Sequence, residues 1–212
     1  MDDRELLLQY WVAHRTVQKM CADRGFPSCE AGVRTPDEFL PLYLQQCAVS
    51  VDECPYLPCL RLHAERPDGA VLDAYFFRPE TANKEYVVDF LDTCRERAHT
   101  HVIVVLPAEL THAAREVLLG AEQTEIEFEL FLLSEVQMDW TASVCQSHIV
   151  LLTEAEARAH FERYALQPAQ LSGLLMDDPV CRWFNLKRGQ VLYFSPRDNT
   201  ARKDFFVVGN EK

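Results

Sequence analysis

Between Val71 and Leu130 the hydrophobic period switches repeatedly between that of a strand and that of a helix, and this alternation restricts the possible folds more than any other feature. Val71 to Phe77 reads as a strand, the stretch near Lys84 to Arg97 as a helix, and His101 to Leu106 as a buried strand. Thr111 to Leu119 reads as a helix closed by Gly120. Glu125 to Leu130 alternates acid and apolar residues, as a strand with one wet face does. Strands separated by single helices require right-handed crossovers and a largely parallel sheet covered by helices. Leu60 to Ala64 joins Val71 through Pro67-Asp68-Gly69 and adds a hairpin. Ahead of it, Leu6, Leu7, Tyr10, Trp11, Val17 and Cys21 recur at helical spacing, with Gly25 marking the stop. Thr35-Pro36-Asp37-Glu38 starts a second helix, with proline in its first turn and acids where the helix dipole favours them. The expected first domain, residues 1–143, is a three-layer α/β unit.

From Asp139 to Ser147 threonine, serine, cysteine and glutamine replace the apolar pattern, and a linker is expected there. The second domain, residues 144–212, is expected to be a small α+β unit. His148 to Leu152 reads as its first strand, and Thr153 with Glu156 forms a capping box for a helix running to about Tyr164. Proline after Asp178 forces that residue into an extended conformation, ending any helix before it. Gly189 is free to take positive φ ahead of the strand Val191-Leu192-Tyr193-Phe194, which puts Lys187 and Arg188 on an exposed turn.

A chain of 212 residues, 48% of them hydrophobic, can bury one large or two modest cores. No run approaches the ~20 apolar residues of a membrane span, and the start Met1-Asp2-Asp3-Arg4-Glu5 is acidic where a signal peptide is basic. The eight cysteines, at positions 21, 29, 47, 54, 59, 94, 145 and 181, are therefore expected to be reduced thiols. Charge is divided unevenly. Residues 148–212 hold 9 Lys+Arg and 8 Asp+Glu, which leaves 12 and 25 of the chain's 21 and 33 for residues 1–147, a net of −13 there.

Two motifs in the second domain stand close together, Asp178-Pro179-Val180 and Leu186-Lys187-Arg188-Gly189-Gln190-Val191. With His148-Ile149, Arg163-Tyr164-Ala165-Leu166 and Gln170-Leu171 they follow in one order. On these residues the domain closely resembles the assembly domain of the shared fifth subunit of eukaryotic nuclear RNA polymerases, which has a small counterpart in the archaeal polymerase. Arg15-Thr16-Val17-Gln18-Lys19-Met20, Asp23-Arg24-Gly25, Glu38-Phe39 and Tyr43 extend the resemblance thinly into the first domain; residues 45–100 match little. The resemblance implies a non-catalytic, nuclear polymerase subunit without cofactor, metal, membrane or small-molecule substrate. Its C-terminal domain would dock on the largest subunit, with His148, Asp178, Pro179, Val180, Leu186, Lys187, Arg188 and Gly189 at the interface. Its N-terminal domain would form part of the jaw around downstream DNA, with Thr111, His112 and Arg115 on the jaw loop. The family's Thr-Pro-Ser-Ala jaw loop is Thr111-His112-Ala113-Ala114 here, the glycine before its Lys-Arg pair is Asn185, and its C-terminal Gly-Arg loop is replaced over Asp198 to Lys203. Asparagine tolerates the left-handed region, so the Asn185 turn is expected to survive.

The acidity of the first domain sets an expectation of its own. Duplex DNA demands basic side chains at phosphates, so any DNA contact here should be local and weak, and the acidic face could instead take a basic protein. Cys54, Cys59 and His63, with His99 and His101, superficially resemble a metal set, but structural zinc uses tighter paired cysteines, and buried thiols with surface histidines are expected instead. The acid pairs Asp52-Glu53 and Asp177-Asp178 read as turn residues beside prolines, and Trp183-Phe184 as core or subunit interface. The other reading of the whole chain is an adaptor or binding protein outside the polymerase that reuses the assembly domain.

Overall fold

The computed structural model describes residues 3–26, 35–47, 54–79, 81, 83–121, 126–139, 148–195 and 204–209. Its contacts divide into two compact units, Met1–Met138 and Asp139–Lys212.

In the first unit a four-stranded sheet has the order β1 (Leu62–Glu65), β2 (Val71–Phe76), β3 (His101–Leu106), β4 (Glu127–Leu132). β1 and β2 form an antiparallel hairpin; β2 to β3 and β3 to β4 are parallel, connected through α3 (Lys84–Glu96) and α4 (His112–Ala121). The hairpin turn closes on Gly69 at φ 84°, with Asp68 Oδ1 accepting the Ala70 N–H. The central strand sends alternate residues to opposite faces. Val102, Val104 and Leu106 join Tyr75, Phe77, Phe90 and Leu91 in one core beneath α3 and α4. On the other side lie α1 (Asp3–Asp23) and α2 (Pro36–Cys47), the former touching β2 through the His14 and Phe76 rings and through the Tyr10 hydroxyl, which donates to the Phe77 carbonyl. These are the three layers the alternating pattern requires.

The local chemistry sets most boundaries. Gly25 ends α1 at φ 84°, Thr35 Oγ1 accepts the Glu38 N–H at the start of α2, and Asn83 caps α3. Several boundaries differ from expectation, and Leu60 closes a short 3-10 turn so that the first hairpin strand begins at Leu62. Gly120 lies inside α4, since it does not adopt positive φ and so does not cap. β4 starts at Glu127, and Glu125 is outside the described residues. Residues 140–147 of the expected linker Asp139 to Ser147, the acid pair Asp52-Glu53 and the loop 198–203 lie outside them too.

The second unit carries a mixed sheet of order β5 (His148–Leu151), β7 (Val191–Ser195), β8 (Asp204–Val208), β6 (Ser172–Leu174). α5 (Glu154–Tyr164) opens with the expected capping box, Thr153 and Glu156 bonding reciprocally, and closes with Ala165 in the left-handed region at φ 49°. Val180, Cys181, Leu186, Leu192 and Val208 form one core, while Ala157, Val191 and Val207 form another under α5. No helix runs directly into Asp178; the chain arrives from β6, and Asp178 instead starts the short helix α6 (Pro179–Trp183). A residue held extended by the following proline, with a side-chain oxygen free to accept, is well suited to that position. Among the described residues no helix is long and apolar enough to cross a membrane.

Candidate functional site

The residues of the two motifs build one locked corner in the second unit. Asp178 sits at φ −56°, ψ 134° and accepts the Val180 N–H at 2.8 Å; Pro179, which lacks an N–H, takes the first helical position, where none is needed. After Trp183 the chain reverses through Asn185 at φ 48°, and the Leu186 N–H reaches back to the Cys181 carbonyl at 2.9 Å. That reversal buries Leu186 beside Val180 and Cys181. A second turn follows. Lys187 N–H donates to Gln190 Oε1, Gly189 takes φ 87°, and Gly189 N–H donates to the Val208 carbonyl at the end of β8.

Burial sorts the expected interface residues. Val180 and Leu186 are 7% and 3% exposed and belong to the core, so they position the corner and do not present it. Pro179, Lys187, Arg188 and Gly189 are exposed, and Asp178 is half-buried. Arg188 has a further role that no sequence motif signals: its Nε and Nη2 donate to the Gly209 carbonyl at 3.3 and 3.2 Å. Trp183 is buried, and Phe184 packs against the same core. His148 takes the first position of β5, in register with Ser195.

The expected jaw-loop residues stand at the start of α4 in the first unit. Thr111 Oγ1 accepts the Ala114 N–H at 3.4 Å and its carbonyl accepts the Arg115 N–H, so the threonine caps the helix. His112 is highly exposed but lies 3.8 Å from the Glu116 carboxylate, which lowers the positive potential of this loop. Arg115 is exposed.

Two carboxylates in the first unit, Asp73 buried and Glu129 largely so, are not evident from the sequence as interior groups. Asp73, fully buried on β2, has Arg61 Nη2 at 2.8 Å and His63 Nδ1 at 3.1 Å from one oxygen and His99 Nδ1 at 2.8 Å from the other. The far nitrogen of His99 lies 2.8 Å from the Tyr75 hydroxyl. Burial drives the Asp73 carboxyl upward, but hydrogen bonds from His99, Arg61 and His63 overcome it and hold the group at about 2. Glu129 on β4 takes both terminal nitrogens of Arg24, at 2.6 and 2.8 Å, and His101 Nε2 at 2.6 Å. Its burial also pushes upward, and His101 with Arg24 brings it below the usual carboxylate range. The imidazoles weighed as metal ligands are thus engaged by carboxylates, and His99, expected on the surface, is 8% exposed. The described cysteines 21, 54, 59, 94 and 181 are thiols outside disulfides; burial, then the Asp73 charge, pushes Cys94 up to about 12. Among the described residues no group of three or more His, Cys, Asp or Glu is arranged to hold a metal ion. A signal for one knot existed: in the hairpin register set by the Gly69 turn, His63 stands directly opposite Asp73.

The fold therefore defines a protein of two separately cored units of helices and strands, the second presenting a locked corner with Lys187 and Arg188 exposed. Residues 138–205 match the family model for the RNA polymerase Rpb5 C-terminal domain. Over 204 residues, covering 94% of each chain, the sequence is 26% identical to DNA-directed RNA polymerases I, II, and III subunit RPABC1 of Caenorhabditis elegans. It is 25% identical over 196 residues to DNA-directed RNA polymerases IV and V subunit 5B of Arabidopsis thaliana, covering 91% of this chain and 85% of that one. To the DNA-directed RNA polymerase subunit 5-like protein 1 of the same plant it is 24% identical over 209 residues, 95% and 94% of the two chains. Residues 138–205 thus match an Rpb5-type C-terminal domain, and over most of its length the chain is similar, at low identity, to proteins named as fifth subunits of DNA-directed RNA polymerases.

Proposed function

We propose that this protein is a non-catalytic subunit of a nuclear DNA-directed RNA polymerase, acting by architecture. Its second unit docks on the largest subunit through the corner built from Asp178, Pro179 and residues 186–189, together with His148. Its first unit forms part of the jaw around downstream DNA, touching the duplex weakly and only through Thr111, His112 and Arg115. One observation carries this reading: the two motifs lie within the stretch 138–205 and fold as a single hydrogen-bonded corner that leaves Pro179, Lys187, Arg188 and Gly189 exposed. An exposed basic turn held rigid by its neighbours loses little freedom on binding.

Lys187→Glu tests the docking more cleanly than a change at Arg188, because Arg188 also fastens the Gly209 carbonyl. Lys187 is exposed, with its Nζ 3.1 Å from Asn185 Oδ1, and charge reversal there leaves both cores untouched. Affinity purification of the tagged full-length chain should recover the two large polymerase subunits, and Lys187→Glu should lose most of that recovery with an unchanged melting temperature. Full recovery with Lys187→Glu would put the interface elsewhere. Consistent absence of polymerase from the unsubstituted protein would favour an adaptor outside the polymerase.

A further inference from the structure

Beside the locked corner lies a groove of about 680 Å³ between the start of α5, the end of β5 and the turn leading into β7. Its apolar surfaces come from Leu151, Phe161 and Val191, and Leu151 is 43% exposed for so large an apolar side chain. β5 pairs only with β7, so it is an edge strand among the described residues. Two arginines and one carboxylate, Glu154, are the charged residues that line it. Arg158 is exposed and makes no ion pair or hydrogen bond among the described residues. Arg188 is fixed in advance: its stem lies across Gly209, where an added Cβ would come within 2.7 Å of Arg188 Cγ, and its guanidinium is tied to the Gly209 carbonyl.

We infer that this groove receives an extended segment of the largest polymerase subunit that pairs an acidic side chain with an apolar one. The inference rests on the docking reading above and deepens it by naming the partner's chemistry. Arginine held in place before binding is a strong anchor for a carboxylate, because its planar fork needs no further ordering. The excess of positive charge among the lining residues selects an acidic strand over a basic one. The apolar floor supplies the desolvated pocket in which an anchor residue contributes most of the binding energy. The sequence motifs do not include Arg158 or Leu151 as contacts, since these come from the helix and strand that flank the corner.

Purification of the full-length tagged chain with the doubly substituted variant Arg158→Glu, Leu151→Glu is the direct test. Both side chains are exposed, so the variant should fold with an unchanged melting temperature while recovering at least tenfold less of the largest subunit. Leu151→p-benzoylphenylalanine provides a second readout, and irradiation should crosslink it to an acidic stretch of the largest subunit. Recovery equal to that of the unsubstituted protein, or crosslinking to any other chain, overturns the groove assignment while leaving the docking reading intact if Lys187→Glu still releases polymerase. Absence of the large subunits from the unsubstituted purification overturns both.

Discussion

Asp73 remains charged while wholly buried because three cationic or imidazole groups surround it, and this makes it a stability residue of the first unit. Replacing it with asparagine leaves Arg61 and two imidazoles facing a neutral group and should cost on the order of 2–3 kcal/mol, measurable by urea unfolding. Its folded value of about 2 lies below the ordinary 3.8. A depressed carboxyl stabilises above its unfolded value, so the contribution, on the order of 2 kcal/mol, is present above pH 3.8 and disappears as pH falls toward 2. His14 adds a second acid-sensitive step. Burial, reinforced by the neighbouring Arg15 charge, lowers its imidazole from 6.5 to about 4. The unfolded chain takes up that proton first, so stability should fall by on the order of 3 kcal/mol as pH drops from 6.5 to 4. His14→Leu should flatten the unfolding free energy across that window, and a slope equal to that of the unsubstituted protein would show that another group dominates.

At the scale of elements, the turns show where local chemistry and tertiary demand agree. Thr153 and Glu156 cap α5 reciprocally, and Thr153→Ala should cost about 1 kcal/mol in a denaturant titration. Ala98 and Ala165 end α3 and α5 in the left-handed region, at φ 53° and 49°. The first of these delivers His99, whose N–H returns to the Cys94 carbonyl, to Asp73. Alanine is poorly suited to that conformation, so Ala165→Gly should stabilise the second unit by about 0.5–1 kcal/mol, and a lowered denaturation midpoint would contradict the cap assignment. Asn185 fills the same need with a residue that tolerates it, which is why this corner survives without a glycine there.

For the molecule as a whole, charge is the property that separates the units. The first 147 residues carry a net of −13, and the side chains at the start of α4 include Glu116 beside His112. A surface of that sign repels phosphates and releases few counterions. The full-length chain should bind duplex DNA at low salt with weaker than micromolar affinity, as measured by fluorescence anisotropy, and submicromolar binding would contradict the reading of a weak, local contact. An acidic surface of this extent also favours basic protein partners, whose association should weaken as salt rises.

The sequence alone determined the order of helices and strands and the three layers of the first unit, and the turns at Gly25, Gly69 and Gly189, because hydrophobic period and left-handed φ are properties of neighbouring residues; β6, α6 and β8 of the second unit carried no such local signal. It also contained the motif pair through which the polymerase resemblance was visible. Tertiary structure decided which motif residues face outward: Val180 and Leu186 became core, while Arg188 was tied to a carbonyl 21 residues away. It also decided that histidines open to a metal or surface reading would lie within hydrogen-bonding distance of Asp73 and Glu129. Those outcomes depend on strand register and on residues distant in the chain meeting in a low-dielectric interior, which no local pattern encodes.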